Sequence, residues 1–572
     1  MTSRLDPITL SVLWNSLLSI AEEMGGTIRR TAYSEAVREG DDFSTGLFDR
    51  RGRLIAQGNY SPGHLGAMPY AVKNVLQYID VDGLRPGDSI LLNDSFLGSG
   101  HMPDCFMISP AFDEEVLVGF AVNVAHHVDV GGAAPGSQKI GGITESFQEG
   151  LRILPVKIAK GGKFDEDLLR LILGNVRLPE KVEGDLRAQR NANFVGAKRL
   201  SRLYESMGPA MVEQGLEDII ERSADGMRAV LRKIPGGKYS FDDRLDDFGP
   251  GTEPIEVAVD VVVDDGCVTV DFSRSSAQVA AGLNSYINYT KAYAGFAVRV
   301  LAGVQIPQNE GTLGSVQVVA REGSFFNPVF PAPSGGRAAV QIRIFEAVAG
   351  ALSTAIPERA MAGFSHWSNP NIGGINEKTG KRFVMYDVVL GGYGAKAYAD
   401  GAEALCPVFN CANIPVEVHE VNNPVLIRKV ALVPDSGGPG QFRGGCGLEK
   451  EIELLAASAV CSLLGDRHRF APYGMAGGGT GTLASTTMIS GDCETVLGSK
   501  DCVPMKRGDV LRIKLSGGGG FGDPARRARE AIAEDLMDGF VSEQCATCDY
   551  GLDVPPLCAA ESSAREVNRL RR

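Results

Sequence analysis

"EEVLVGFAVNVAHHVDVGG", residues 114–132, is the stretch whose reading decides most about the fold. Its Val, Phe and Ala run is rich in β-formers and long enough for a strand, and it feeds into two adjacent histidines and an aspartate. Successive side chains of a strand alternate between faces. Phe120, Val122, Val124 and His126 therefore share one face, and Asn123, Ala125, His127 and Asp129 share the other. The more polar face favours His127 as the residue turned toward a site, although the pattern alone does not choose between the two histidines.

Upstream, "LGSGHMPDCF" at residues 97–106 sets His101 and Asp104 three residues apart among Gly98, Gly100 and Pro103. That spacing lets both face one way in a compact turn, and the glycines and proline allow backbone shapes that bulkier sequence resists. Only seven histidines occur in 572 residues, and three of them fall in these two segments. Divalent cations take neutral imidazole nitrogens and ionised carboxylates that converge at about 2.0–2.2 Å. A third segment, "REGDDFS", offers Asp41 and Asp42 as further donors. Spacing leaves two readings open, a metal site or turn residues with a hydrogen-bonded core histidine. The cost of an unpartnered polar group at the end of an apolar strand raises the first to equal standing with the second.

Working outward, Asp6 reads as an N-cap and Pro7 as the first residue of a helix carrying Ile8, Leu10, Leu13, Leu17, Ile20, Ala21 and Met24 on its apolar stripe. "GLFDRRGRLIAQG" reads as two strands about a turn, "AMPYAVKNVLQYI" as a helix and "GDSILLND" as a strand. Helical periodicity dominates from about 165 to 233. "IEVAVDVVVDDGCVTVDFS" is a hairpin pattern, and "YTKAYAGFAVRVLAGV" and "AVQIRIFEAVAGALSTAI" are helical. From about 415 the chain reads as β, beginning with "VEVHEV" and including "VLIRKVALV", "LEKEIELLAASAVCSLL" and "VLRIKLSGGGG". The fold class expected is α+β and multi-domain. A mixed metal-binding region spans 1–235, an α+β region 236–410 and a β-rich region 411–525, before a C-terminal helix and tail over 526–572.

Composition excludes several classes. A net charge of −13 argues against nucleic acid as a partner, which needs clustered Lys and Arg. No run approaches the ~18 apolar residues of a membrane span, and the N-terminus lacks the pattern of a signal peptide. No membrane association and a cytoplasmic location are expected. Eleven dispersed cysteines make a poor disulfide framework and suit a reducing compartment. The tight pair Cys545 and Cys548, with Cys558 beyond, lacks a fourth ligand and reads as free thiols. "GGGTGT" and "SGGGGFGDP" carry no G-x-x-x-x-G-K-[ST] and read as tight turns, so this chain is not expected to hold ATP itself.

Taken together, "DPITLSVLWNSLLSIAEEMGGTIRRTAYS", "DDFSTGLFD", "HLGAMP", "GDSILLNDSFLGSGHMPD", "AHHVDVGG", "QEGLRILPVKI", "LRAQRNAN", "PDSGGPGQFRGG" and "SGGGGFGDP" resemble the hydantoinase B/oxoprolinase family almost end to end. The resemblance implies one divalent ion, Zn, Mn or Fe, held by Asp42, His101, Asp104 and His126. It sets His126 above His127, which requires the strand to bend or end before His126. His64, His127 and Asp129 become candidates around the ion or facing substrate, and Glu149 a candidate general base against its plainer reading as a turn carboxylate. The resemblance further implies a hetero-oligomer in which ATP is held by a separate A-type ATPase subunit, which phosphorylates a cyclic amide such as a hydantoin, 5-oxoproline or a lactam. This chain then opens the ring. A component of an ATP-dependent ketone carboxylase of the acetone or acetophenone type is the alternative, and a non-catalytic companion of the ATPase is a third reading.

Overall fold

The computed structural model describes residues 4–303, 306–405 and 408–552. Cys406, Cys558 and the expected tail beyond 552 lie outside the described residues.

The strand reading of the opening stretch holds, and that strand is central. β1 (Phe43–Asp49), β2 (Leu54–Gln57), β3 (Ser89–Leu92), β4 (Asp104–Asp113), β5 (Val116–His126), β6 (Val156–Lys160) and β7 (Lys163–Phe164) form one antiparallel sheet ordered β2-β1-β5-β4-β3-β6-β7. β4 and β5 make a hairpin across Glu114, whose φ of +50° serves the tight turn. The two faces of β5 part as its alternation dictates. Phe120, Val122 and Val124 pack with Leu65 and Met68 of the helix Pro62–Tyr78. Ala121 and Ala125 pack beneath the helices Pro7–Thr31 and Pro179–Met207.

Asp6 caps the first helix through the amides of Ile8 and Thr9. Leu10, Leu13, Leu17, Ile20 and Met24 are buried, each contributing roughly 1.5–3 kcal/mol relative to exposure. Ile8 departs from the expected stripe and is 77% exposed. Two residues before Leu10, it lies about 200° around the helix, on the solvent side.

In the middle region, strands Gly237–Leu245, Ile255–Asp264, Cys267–Asp271 and Val316–Val319 form a second sheet. It is backed by the helices Ile287–Ala302 and Gln341–Leu352, the latter buried on all sides. Two further sheets share an apolar core including Ile372, Met385, Ile452, Leu463, Leu511 and Ile513. One of them pairs the hairpin Asn371–Asn376/Lys381–Tyr386 with Ser458–Ser462 and Cys502–Lys506, so the β-rich packing reaches back before residue 410. A buried ion cluster joins the middle region to these sheets. Asp466 accepts from Arg343 at 2.6 Å and from the Asp246 amide at 2.9 Å, with Lys500 at 3.3 Å.

Two local expectations are corrected. "VEVHEV" forms the helix Val416–Asn422, started at Pro415. One helical turn carries His419 inward, where its Nε2 lies 3.1 Å from buried Asp387, and that contact outweighs the weak preference of so short an alternating run. The glycine strings are tight turns only in part: Gly477, at φ +95°, sits in the turn closed by Gly478 N–H to Met475 O at 3.0 Å, and the rest is packed backbone. Gly438, Gly479 and Gly518–Gly520 lie backbone against backbone, with Gly438 N–H to Gly518 O at 2.8 Å, Gly520 N–H to Gly479 O at 2.9 Å and Gly519 N–H to Gly363 O at 2.7 Å. A Cβ on Gly518 would sit inside the carbonyl of Tyr393, and one on Gly519 inside that of Tyr473. "CATC" lies on the helix Glu543–Cys548 with both thiols free. Among the described residues no helix is long and apolar enough to cross a membrane.

Candidate metal centre

Three neighbouring strands deliver a row of polar side chains at one edge of the first sheet. Asp104 opens β4 directly opposite His126, the last residue of β5. Asp42 immediately precedes β1, and its carbonyl accepts from the His126 amide at 3.0 Å, continuing the register in which Phe43 faces Ala125. Neighbouring strands are about 4.8 Å apart, so Asp42, His126 and Asp104 stand side by side. The row continues the Phe120–Val122–Val124 face. β5 therefore neither bends nor stops before His126, and it is the less polar face that brings a histidine beside Asp42 and Asp104. The other face is polar because the helix Pro179–Met207 covers it with amides. Asn123 donates to Gln189 O and Asn193 Oδ1, and His127 Nε2 lies 2.9 Å from Gln189 Oε1.

His101, in the turn before β4, and His64, near the start of the helix Pro62–Tyr78, close over the row. Asp104 joins the group. Its Oδ1 lies 2.8 Å from His101 Nε2 and 3.1 Å from His126 Nδ1. Its Oδ2 accepts from Ser99 Oγ at 2.5 Å and from the buried guanidinium of Arg337, and lies 3.2 Å from His64 Nε2. Burial opposes ionisation of Asp104, but the imidazoles of His101 and His64 and the charge of Arg337 outweigh it and hold the carboxyl well below the usual carboxylate range. Burial, reinforced by Arg337, lowers His101 to about 4, which keeps its imidazole neutral at physiological pH. The other nitrogen, Nδ1, lies 3.0 Å from Gly335 O, a partner that orients the ring.

Asp42 Oδ2 accepts from the Tyr386 hydroxyl at 3.2 Å, whereas its buried Oδ1 has no hydrogen-bond partner. Gln138 Nε2 lies 3.3 Å from His126 Nε2. Nitrogen and oxygen donors bound about 2.1 Å from one ion at right angles are about 3 Å apart. One ligand atom each from His101, Asp104 and His126 falls within 4.8 Å of the others, so the residues fit a divalent cation in kind and in spacing. Asp42, with its unpartnered oxygen, stands on the same wall. The cleft above is narrow, with a volume of about 10 Å³. Trp367, Val388 and Phe409 make it apolar, and Asn369, Gln138 and Arg337 supply polar groups.

The remaining sequence candidates lie elsewhere. His127 is buried on the opposite face of the sheet. Asp129 receives the Arg177 amide at 2.6 Å and its guanidinium at 2.7 Å, a structural pair outside the cleft. Glu149 Oε1 accepts the amides of Ser334 at 2.7 Å and Gly335 at 2.5 Å, so it holds the loop whose Gly335 carbonyl meets His101 and whose Arg337 meets Asp104. Burial pushes Glu149 up to about 8.

Residues 6–524 match the hydantoinase B/oxoprolinase family. The chain belongs to that family. Among family relatives, the beta chain of the caprolactamase from Pseudomonas jessenii is 31% identical over 99% of both chains. The B-type chain of a putative D-/L-hydantoinase from a Pseudomonas species is 28% identical over all of this chain and 98% of its own. The crystal structure of the ATP-dependent caprolactamase from Pseudomonas jessenii superimposes with a TM-score of 0.90 at 30% identity, covering 99% of this chain and all of that one. An acetone carboxylase in its nucleotide-free form shares the fold, with a TM-score of 0.88 at 20% identity over 99% of this chain and 84% of that one.

Sequence reasoning missed Arg337, Asn369 and Tyr386, because each arrives from a distant loop or strand, and Gln138, because its loop carries no periodicity. Arg337 alone left a trace, as a lone cation between glycines and a small apolar run in "PSGGRAAV".

Proposed function

We propose that this chain is the metal-dependent B-type subunit of an ATP-dependent cyclic amide hydrolase. On this reading it opens a hydantoin, 5-oxoproline or lactam ring whose amide oxygen a separate A-type ATPase subunit has phosphorylated, and the hetero-oligomer works in the cytoplasm. The observation that carries it is the buried convergence of His101, Asp104 and His126 beneath a narrow cleft, with Asp42 beside them. Family membership and the relatives named as hydantoinase and caprolactamase chains support the substrate class.

Asp42, His101, Asp104 and His126 would hold the ion. When bound, a Zn, Mn or Fe ion supplies Lewis acidity and a nucleophile from water at neutral pH. The chain's own groups prepare that chemistry. Arg337 and Ser99 engage Asp104 Oδ2 and leave Oδ1 turned toward the imidazoles. Tyr386 steadies Asp42 through one oxygen. Gln138, whose Oε1 has no hydrogen-bond partner, offers an amide to a polar ring substituent, while Trp367, Val388 and Phe409 exclude bulk water and strengthen each electrostatic contact.

Coexpression with an A-type ATPase partner, metal analysis and an ATP-dependent screen of lactams, hydantoins and ketones tests the reading. The expected result is ring opening that His101→Ala abolishes while ATP cleavage partly persists. Full ring opening by His101→Ala refutes it, and incorporation of labelled bicarbonate into a β-keto acid selects the carboxylase alternative.

A further inference from the structure

The helix Pro179–Met207 covers the first sheet with one stripe of its surface and presents a second stripe beside it. Arg190, Phe194 and Ala197, at helical spacing, belong to the second. It faces a gap in the sheet. β3 begins at Ser89, and the register that pairs Ile90 with Ile108 sets Ser89 opposite Ser109, their hydroxyls hydrogen-bonded at 2.8 Å. Beyond Ser109, β4 runs on to Asp113 without a paired residue of β3, and Pro110 brings no N–H to the gap. Between the stripe and the gap lies a cavity of about 300 Å³, with Ser109 and Pro110 on one side and Arg190, Phe194 and Ala197 on the other. Pockets that hold small organic molecules run from about 300 to 1,000 Å³. The cavity shares no lining residue with the metal cleft.

Its cation has no counterion. Among the described residues Arg190 has no carboxylate within ion-pairing distance, and it donates to two neutral oxygens, Gly162 O and, at 2.9 Å, Asn191 Oδ1. Gly162 and Asn191 line the same cavity, which puts the guanidinium at its wall. The buried Nε–H has no acceptor, and a desolvated donor left so is costly. The carboxylate that lines the cavity, Asp88, is occupied. Its Oδ2 accepts from the Lys157 ammonium at 2.9 Å and from the Arg85 amide at 3.2 Å, and its Oδ1 accepts from the Gly161 amide at 3.2 Å. A second cation, Lys198, adds to the positive side, its ammonium 5.9 Å from the centre of the Phe194 ring.

Phe194 is the other oddity. It is 61% exposed, whereas Asn193 and Gly196 beside it on the helix are buried against the sheet. The ring therefore contributes little to the core. A lone exposed ring is common on protein surfaces. Next to a guanidinium without a counterion it gives the cavity one charged end and one apolar end.

We propose that this cavity binds a small organic carboxylate, its head group on the Arg190 guanidinium and its apolar body against Phe194, Ala197 and Pro110. A carboxylate supplies both the missing charge and the missing acceptor, and its two oxygens match the planar donor fork of arginine. The full chain is titrated with 4-(trifluoromethyl)benzoate and with the neutral 4-(trifluoromethyl)benzamide, followed by fluorine NMR line widths. The expected result is saturable binding of the benzoate, weakened about 10-fold or more by Arg190→Met, as loss of one charged contact predicts, and weakened also by Phe194→Ala. Binding of the benzamide is expected to be the same in Arg190→Met as in wild type. Chain stripped of metal with EDTA and desalted is expected to bind the benzoate unchanged, which separates this cavity from the metal centre. Inorganic phosphate at equal concentration is expected not to displace it. Circular dichroism and melting check folding, and Phe194→Ala, at an exposed position, decides alone if Arg190→Met fails to fold. Absence of saturable binding in wild type, wild-type affinity in the folded variants, equal weakening of acid and amide by Arg190→Met, loss of binding on metal removal, or displacement by phosphate overturns the proposal.

Discussion

Replacing Glu149 by glutamine tests how burial at one carboxyl shapes the stability of the whole first region. The group is 4% exposed, and only its Oε1 has partners, the amides of Ser334 and Gly335. Its folded pKa of about 8 stands above the ordinary 4.5, with burial as the dominant cause. A carboxyl that keeps its proton to higher pH in the folded state stabilises that state fully below about 4.5. The contribution is lost as pH rises and is gone once pH passes about 8. At about 1.4 kcal/mol per unit, the window is worth on the order of 5 kcal/mol. For a cooperative unit of 150–250 residues that is a fall in melting temperature on the order of 10 °C. Glutamine keeps an oxygen for the two amides and does not titrate. Melting temperature is measured from pH 4.5 to 8.5 for wild type and Glu149→Gln. The wild-type curve is expected to fall across this range relative to the variant, with the two converging toward the acid end. Parallel curves would refute the reasoning and show a carboxylate ionised at neutral pH in both folded and unfolded chains.

Further outcomes follow from other contacts. His101→Ala and Asp104→Asn will each lower the metal content of the purified chain, measured by plasma mass spectrometry, at least 10-fold under dialysis against a weak chelator, because each removes a donor from a set of three close atoms. Arg343→Met will destabilise by about 1.5–3 kcal/mol in chemical denaturation, since Asp466 and Glu346 each lose a charged hydrogen bond while keeping Lys500 and Arg467 respectively. Gly518→Ala will fail to give soluble, native-like protein, as its methyl would collide with the Tyr393 backbone. Gly295→Ala, with open space around it, will melt at or above the wild-type temperature.

Much of the fold was legible because its signals are local. The β4–β5 hairpin, the cap at Asp6, the helices between 166 and 231 and the Asp264–Cys267 turn all announce themselves within a dozen residues. The row of Asp42, His126 and Asp104 was legible only in part. Alternation correctly separated His126 from His127. It could not say which face would be covered by a helix rich in Gln189 and Asn193 and which by His64. Polarity along a strand marks a site only when the covering layer is apolar, and here both layers carry polar groups. Arg337, Tyr386 and Gln138 depended on contacts across about 200–350 residues or on a loop with no periodicity, beyond the reach of spacing. "VEVHEV" misled for the opposite reason, since a run of six is too short for alternation to outvote one buried contact between His419 and Asp387.

The interlocked glycine strings have a calorimetric consequence. Where Gly517–Gly520 meet Ser436, Gly438, Tyr393 and Tyr473, the interior is built of peptide groups rather than hydrocarbon. Exposing amide lowers the heat capacity of unfolding, whereas exposing hydrocarbon raises it. The C-terminal sheets therefore owe less of their cohesion to a force that fades on cooling, and their stability curve is flatter than that of the leucine- and valine-filled first region.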